Sequence, residues 1–222
     1  MIARLALVAV VAGGSTSPLL FAQAPVQRQS ADAIVTRSSR AWQTLTSFQA
    51  DFRMSLKDPM MDHPDSRGRL YQQGSSRFAM RFTDPENSVI LIDGTSLWVF
   101  LPENDPRTAR KLPAPAGPMY SYNHLAWLFD RPLEKYRATW LREEPIEGKL
   151  NDVILLEPRD ANPPFRRGTI WIERESALPR KIELDEKILV RTVTLSRIRT
   201  NSTIPPGTFT FRVPAGVRVI DQ

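Results

Sequence analysis

The side chains able to do chemistry are few in this sequence of 222 residues, and their spacing is poor. There are two histidines, His63 and His124, and no cysteine. His63 stands in the run DPMMDHPD, close in sequence to Asp58, Asp62 and Asp65, which is the raw material of a metal site. The spacing matches neither an EF-hand loop nor a zinc pattern, and the two prolines of the run mark a solvated turn instead. His124 lies beside Leu125 and Trp127 in an apolar helical stretch, the setting of a half-buried structural histidine. Glu143 and Glu144 are neighbours on a strand, so their side chains leave on opposite faces and cannot flank one bond as a glycosidase pair does. No G-x-S-x-G, Gly-rich phosphate loop or H-E-x-x-H occurs. The expectation is a protein with no catalytic residues, no metal and no cofactor, and a lipid hydrolase is disfavoured for want of a nucleophile with its histidine.

What the sequence offers in place of reactive groups is apolar surface. SVILIDGTSLWVFLP, residues 88–102, reads as two strands about a tight turn, yet it is apolar on both faces. Val89 and Leu91 point one way and Ile90 and Ile92 the other, where a surface hairpin would alternate apolar with polar. Something must cover each side, and a ligand without polar surface is one candidate.

The elements that would position such a surface follow from the rest of the chain. Residues 1–24 carry Arg4, the apolar run from Leu5 to Ala12, and an Ala22-Gln23-Ala24 site. That is the layout of a secretory signal peptide, too short for a permanent membrane helix. Its removal leaves 25–222 as a single domain, long enough to bury roughly 70% of the surface its unfolded chain exposes. The formal charge of +6 falls to +5 with the loss of Arg4. Bases alternate with acids, as in Glu173-Arg174-Glu175, rather than forming the stripe that nucleic acid requires. A weak attraction to anionic membrane surfaces or acidic partners is the better reading.

Residues 27–47 read as an amphipathic helix with Ser30 as N-cap and Ile34, Ser38, Trp42 and Leu45 at helical spacing. From Phe48 the period changes to two, with Phe48, Ala50, Phe52, Met54 and Leu56 on one face of a half-buried strand. Further strands are expected at 68–73, 77–83, 108–112, 137–144, 150–157, 168–174, 180–185, 188–200 and 208–213, besides the hairpin. A short helix at 122–129 interrupts them, stopped by Asp130-Arg131-Pro132. The 19 prolines, well above the roughly 5% average, gather in the joints. The fold class is α+β: about eleven antiparallel strands in one strongly curled sheet, with the N-terminal and mid-chain helices over its concave face.

The block GRLYQQGSSRFAMRFTDPENSVILIDGTSLWVFLPE, the entry through LTSFQADF and the ending FTFRVPAGVRVI resemble the LolA family of periplasmic lipoprotein carriers. The most specific part is a Gly-x-Leu-aromatic strand, a strand centred on Phe78, then Asp84-Pro85, and an apolar strand into Asp93-Gly94 and Leu97-Trp98. The resemblance implies an incomplete β-barrel with a helical lid over a hydrophobic cavity, working in the periplasm as a monomer. It also implies the partners: triacylated lipoproteins, an inner-membrane lipoprotein-releasing transporter and an outer-membrane receptor.

The expected acyl-chain wall is Phe48, Phe52, Phe78, Met80, Phe82, Ile90, Ile92, Trp98 and Phe100, and the expected lid is Trp42, Leu125, Trp127, Leu128 and Phe129. Family members carry an Arg-Pro pair whose Arg latches the lid. Here Gly74-Ser75 stands at that place, and Arg77 is the nearest arginine. The alternative function is a periplasmic sensor or lipid-binding protein of the same fold, which would use the cavity for regulation. A sensor is expected to need a second, partner-binding domain.

Overall fold

Ser30 takes an extended conformation and its Oγ accepts the Ala33 N–H at 3.2 Å, so the first helix begins where a hydroxyl satisfies a free amide. In this computed structural model, which describes residues 29–61 and 63–221, that helix is α1 (Ala31–Gln43). Asp32 in its first turn and Arg40 in its last complement the helix dipole. It is shorter than the expected 27–47 because the chain leaves the helix at Thr44. The signal-peptide segment 1–24 and Asp62 lie outside the described residues.

The strands β1 (Ser47–Lys57), β2 (Ser66–Gln73), β3 (Arg77–Asp84), β4 (Glu86–Ile92), β5 (Ser96–Phe100) and β6 (Thr108–Pro113) come next. Two short helices, α2 (His124–Phe129) and α3 (Pro132–Lys135), interrupt the sheet. The chain returns through β7 (Tyr136–Ile146), β8 (Lys149–Pro158), β9 (Arg167–Glu173), β10 (Pro179–Asp185) and β11 (Val190–Thr200), and ends in β12 (Arg218–Asp221). All twelve strands form one sheet in the order β12-β6-β5-β4-β3-β2-β1-β11-β10-β9-β8-β7. It is open, with β12 and β7 at its two edges, and among the described residues only the β12–β6 pair is parallel. The β1–β11 pair joins the two halves of the chain.

The twelfth strand replaces one that the pattern misplaced. Residues 208–213 form turns and irregular chain rather than a strand. Their period of two comes from Phe209 and Phe211 packing down onto the sheet, while Pro205, Pro206 and Pro214 flank the segment and withhold the donors a ladder needs. Only beyond Gly216 does the chain join an edge, beside β6.

The hairpin that is apolar on both sides is covered on both sides. Ile90 and Ile92 pack against the main core beneath the helices. Val89 and Leu91 belong to a second cluster with Tyr71 and Ala79, covered by Ile204, Phe209 and Phe211. The sheet therefore has a face under the helices and an outer face partly strapped by its own C-terminal segment. The turn between β4 and β5 is held by Asp93, whose Oδ1 accepts the Thr95 and Ser96 N–H groups at 2.8 Å, with Gly94 at φ 108°.

Candidate functional site

The ladder aligns the apolar side chains of the lidded face into rows. Ala50, Leu70, Met80 and Ile90 are successive partners across β1, β2, β3 and β4. Phe48, Gln72, Phe78 and Ile92 form the next row, and Phe52, Gly68 and Phe82 the one on the other side. The wall continues past β1, because Met54 pairs with Val193 and Val193 with Ile182, which pairs with Ile170, which pairs with Ile154. Direct partners share a face of the sheet, so each row is a strip of one surface.

Helices α1 and α2 lie over this wall. Trp42 of α1 sits 5.0 Å from Phe48 below it and 5.9 Å, stacked, from Phe129 of α2. Leu125, Leu128 and Phe129 are buried against the same cluster. Trp127 is turned elsewhere: its ring lies 4.5 Å under the Lys135 ammonium and edge-on to Tyr120. Phe165 is fully buried between Tyr120 and Tyr136 at the side of the lid.

A few polar contacts tie these parts together. The Ser39 hydroxyl donates to the Phe129 carbonyl at 2.7 Å, which holds α1 to the end of α2. Asn123 caps α2 by accepting the Ala126 N–H at 3.1 Å, and its Nδ2 donates to Gln72 Oε1 on β2 at 3.1 Å. At the other side of the lid, Arg191 grips Glu186 with two bonds of 2.9 and 3.1 Å, and the Tyr120 hydroxyl donates to the same carboxylate. Burial alone would push the Glu186 carboxyl up, but Arg191 and Tyr120 outweigh it and hold the group below the usual carboxylate range. His124 Nε2 is 3.9 Å from that carboxylate. Burial first, then the charge of Arg191, bring the His124 imidazole down to about 4 against the opposing pull of Glu186, so it is neutral near pH 7.

The space left between wall and lid is small. A cavity of about 60 Å³ is lined by Met54, Leu70, Phe78, Met80, Phe82 and Ile90 on one side and by residues 121–125 of the lid on the other. Pockets that enclose a drug-sized ligand run to about 300 Å³ or more, so a long apolar ligand enters only if the lid moves. Two larger hollows are open grooves: one of about 610 Å³ lined by Asp51, Arg53, Asp65, Arg67 and Arg197, too polar for a hydrocarbon, and one of about 620 Å³ on the outer face, where Arg81, Val89 and Phe100 meet the C-terminal segment at Phe211.

Of the residues expected on the cavity wall, Phe48, Phe52, Phe78, Met80, Phe82, Ile90 and Ile92 are brought together under the lid. Trp98 and Phe100 are not. They pair with Leu91 and Val89, the outer-face residues of β4, and pack tilted against Phe211 at ring-centroid distances of 5.2 and 5.9 Å. The reason is register: across this hairpin the even-numbered residues of β5 oppose the odd-numbered residues of β4, so a shared parity does not mean a shared face.

At the expected latch, Gly74 is a turn residue at φ 55° and Arg77 donates to Gln73 on its own turn at 3.4 Å. The strand-to-lid bond comes from Gln72 instead, which sequence reading missed, as it missed Arg191, Glu186 and Phe165. A lone Phe in an otherwise polar, proline-rich loop was the one signal available for Phe165. Among the described residues no group of three or more His, Asp or Glu is placed to hold a metal, and His63 lies in its turn 3.6 Å from Asp58. Glu143 and Glu144 are taken up by Arg174 and Arg142 respectively.

The model of the family described as outer membrane lipoprotein carrier protein LolA matches residues 43–212, which contain the wall, α2 of the lid and the outer strap, and begin at the last residue of α1. The chain belongs to the LolA family. Curated members of similar sequence include the outer-membrane lipoprotein carrier proteins of Salmonella paratyphi A and Alkalilimnicola ehrlichii, each 25% identical over 195 residues. Those alignments cover 86% of this chain, and 89% and 86% of the relatives. Among solved structures, an uncharacterized conserved protein from Thermus thermophilus superposes with a TM-score of 0.56 at 14% identity, over 87% of this chain and all of that one. MucB superposes with a TM-score of 0.54 at 17% identity, but this chain spans only 65% of it. At such identities these structures share the fold alone, and the lidded open sheet is that fold. LolA is a family of carriers, in keeping with a site built of hydrocarbon rather than reactive groups.

Proposed function

We propose that this LolA-family chain is exported with residues 1–24 as its signal and shelters the acyl chains of lipoproteins in the periplasm. In this reading it collects them from a releasing transporter in the inner membrane and delivers them to the outer membrane. The observation that carries the proposal is the wall itself. Rows dominated by Phe, Met, Leu and Ile, with Ala50, Gln72 and Gly68 among them, cross β4, β3, β2 and β1, and the Phe52–Leu195 and Met54–Val193 pairs carry the surface onto β11, all beneath a lid bound to it by few polar contacts.

The energetics follow from burial. Each methylene removed from water contributes roughly 0.8 kcal/mol, so partial shelter of a few chains outweighs the loss of the lid's own contacts. The lid residues Leu125, Leu128 and Phe129 are covered by the wall, so a ligand entering there competes with them for the same surface. Binding and closure oppose one another, and that competition keeps affinity low enough for release. Met80 and Met54 give the wall side chains that adapt to chains of differing length and shape.

The reading is tested by titrating the purified chain with a fluorescent fatty-acyl probe and displacing it with a triacylated peptide. Displacement by the acylated peptide and not by its unacylated form is the expected result. A sensor of similar fold would also take the probe, so transfer between membranes, rather than binding, separates the two.

A further inference from the structure

The most exposed large apolar side chains among the described residues are Met60 at 90%, Ile188 at 73% and Met61 at 62%. Single exposed hydrophobics need no explanation, but these three converge. β1 passes its last partner in β2, where Met54 faces Ser66, and stays paired with β11 as far as Lys57 opposite Val190. The turn that follows Lys57 carries Met60 and Met61, and the turn that precedes Val190 carries Ile188, so the two tips stand side by side.

Both turns are built. Asp58 Oδ1 accepts the Met60 N–H at 2.8 Å across Pro59, and the Glu186 N–H bonds the Leu189 carbonyl at 2.9 Å. The polar groups of the turns are thus spent on the backbone while the apolar side chains face water. Exposed Lys57 and Lys187 stand at the base. Of the described acids nearby, Asp58 is held by the Met60 N–H and lies 3.6 Å from His63, Asp65 pairs with Arg53 at 2.6 Å and Asp185 with Arg166 at 2.9 Å; Asp62, next to Met61, lies outside the described residues. This edge is also that of the cavity, because Met54 and Arg191, at the same ends of β1 and β11, line it.

We infer that these two tips are a lipid-contacting edge with which the protein touches an anionic bilayer, Met60, Met61 and Ile188 entering the headgroup region while Lys57 and Lys187 meet phosphates. Apolar tips with cations behind them suit an interface that has no fixed shape, where a protein partner would call for a shaped patch. The inference rests on the carrier reading for its purpose, since it places the cavity against the membrane, but not for its test.

With no native cysteine, Met61→Cys accepts one environment-sensitive fluorophore, and Glu175→Cys, at the opposite end of β10, serves as control. On adding phosphatidylethanolamine vesicles containing phosphatidylglycerol, the dye at position 61 is expected to shift to the blue and the dye at 175 to stay unchanged. A Met60→Ser, Met61→Ser, Ile188→Ser variant is expected to bind these vesicles at least tenfold more weakly while still taking up a fatty-acyl probe as the parent does. No shift at position 61, or undiminished vesicle binding by the triple variant, would overturn the inference, and silence at position 61 would leave a protein as the occupant of the tips. A parent chain that touches vesicles but holds no acyl probe would strike down the carrier reading and leave this one standing.

Discussion

The rings of Phe52 and Phe82 meet edge to face at 5.1 Å above Gly68, the residue that stands between them in the strand ladder. A glycine leaves a gap in the pleated surface, and the two aromatics close it from either side. The β2–β3 register shifts at this point, which brings the backbone of β3 close: a Cβ on Gly68 would lie 2.2 Å from the Arg81 carbonyl oxygen. Gly68→Ala is therefore expected to cost about 2 kcal/mol through a forced backbone shift, read from the denaturant midpoint. An unchanged midpoint would mean that the strands are not this close.

The Gln72–Asn123 bond is the direct tie between sheet and lid at the α2 cap. Gln72→Leu removes it without touching the cap that Asn123 makes to Ala126. The expected result is faster uptake of a fatty-acyl probe with a stability loss of no more than about 1 kcal/mol. Ser39→Ala, by contrast, removes the nearer of the two donors to the Phe129 carbonyl, leaving Gln43 Nε2 at 3.4 Å, and is expected to lower stability by about 1 kcal/mol as well as loosening α1 from α2.

Acid should weaken the lidded state through His124. Folded, it stays neutral down to about 4, whereas an unfolded histidine titrates at about 6.5. The unfolded chain binds a proton in that window and the folded chain does not. Stability is therefore complete above pH 6.5 and falls as the pH drops toward 4, by something on the order of 3 kcal/mol. Glu186, whose carboxyl is held low by Arg191 and Tyr120, adds its own loss in the same direction below the usual carboxylate range. His124→Gln should flatten the limb above pH 4.5 and leave the lower one. Melting temperature against pH for the two proteins is the measurement.

The two faces of the sheet are separable by mutation. Phe78→Asp places a charge on the lidded face and is expected to abolish probe binding. Trp98→Ala removes a ring from beneath Phe211 on the outer face and is expected to cost about 2–3 kcal/mol while binding persists at the parent's affinity. Equal losses of binding in both variants would contradict the assignment of faces.

Much of the architecture was legible because it is written in local patterns. The Ser30 cap, the change of period at Phe48 and the turn at Asp93-Gly94 each have a short-range cause, and the double-sided apolar hairpin announced two coverings before either was identified. The side on which Trp98 and Phe100 fall was not legible, since it depends on how the loop at Asp93 sets the register of β5 against β4. The covering of the outer face was hidden too, because Phe209 and Phe211 imitate a strand. Contacts such as Asn123 with Gln72, or Tyr120 with Glu186, join residues that only the curled sheet brings together, and neither partner stands out alone. The amide that ties strand to lid, Gln72 with Asn123, is likewise visible only in three dimensions.

The most direct measurement is release of a triacylated lipoprotein from inner-membrane vesicles into the soluble fraction by the purified mature chain, beside an unacylated form of the same cargo. The expected result is acyl-dependent release into a soluble one-to-one complex, reduced to background by Phe78→Asp and retained by Trp98→Ala. Release that ignores acylation, or none at all from a folded protein that binds acyl probes, would contradict the carrier reading and leave the lidded wall to some other apolar ligand.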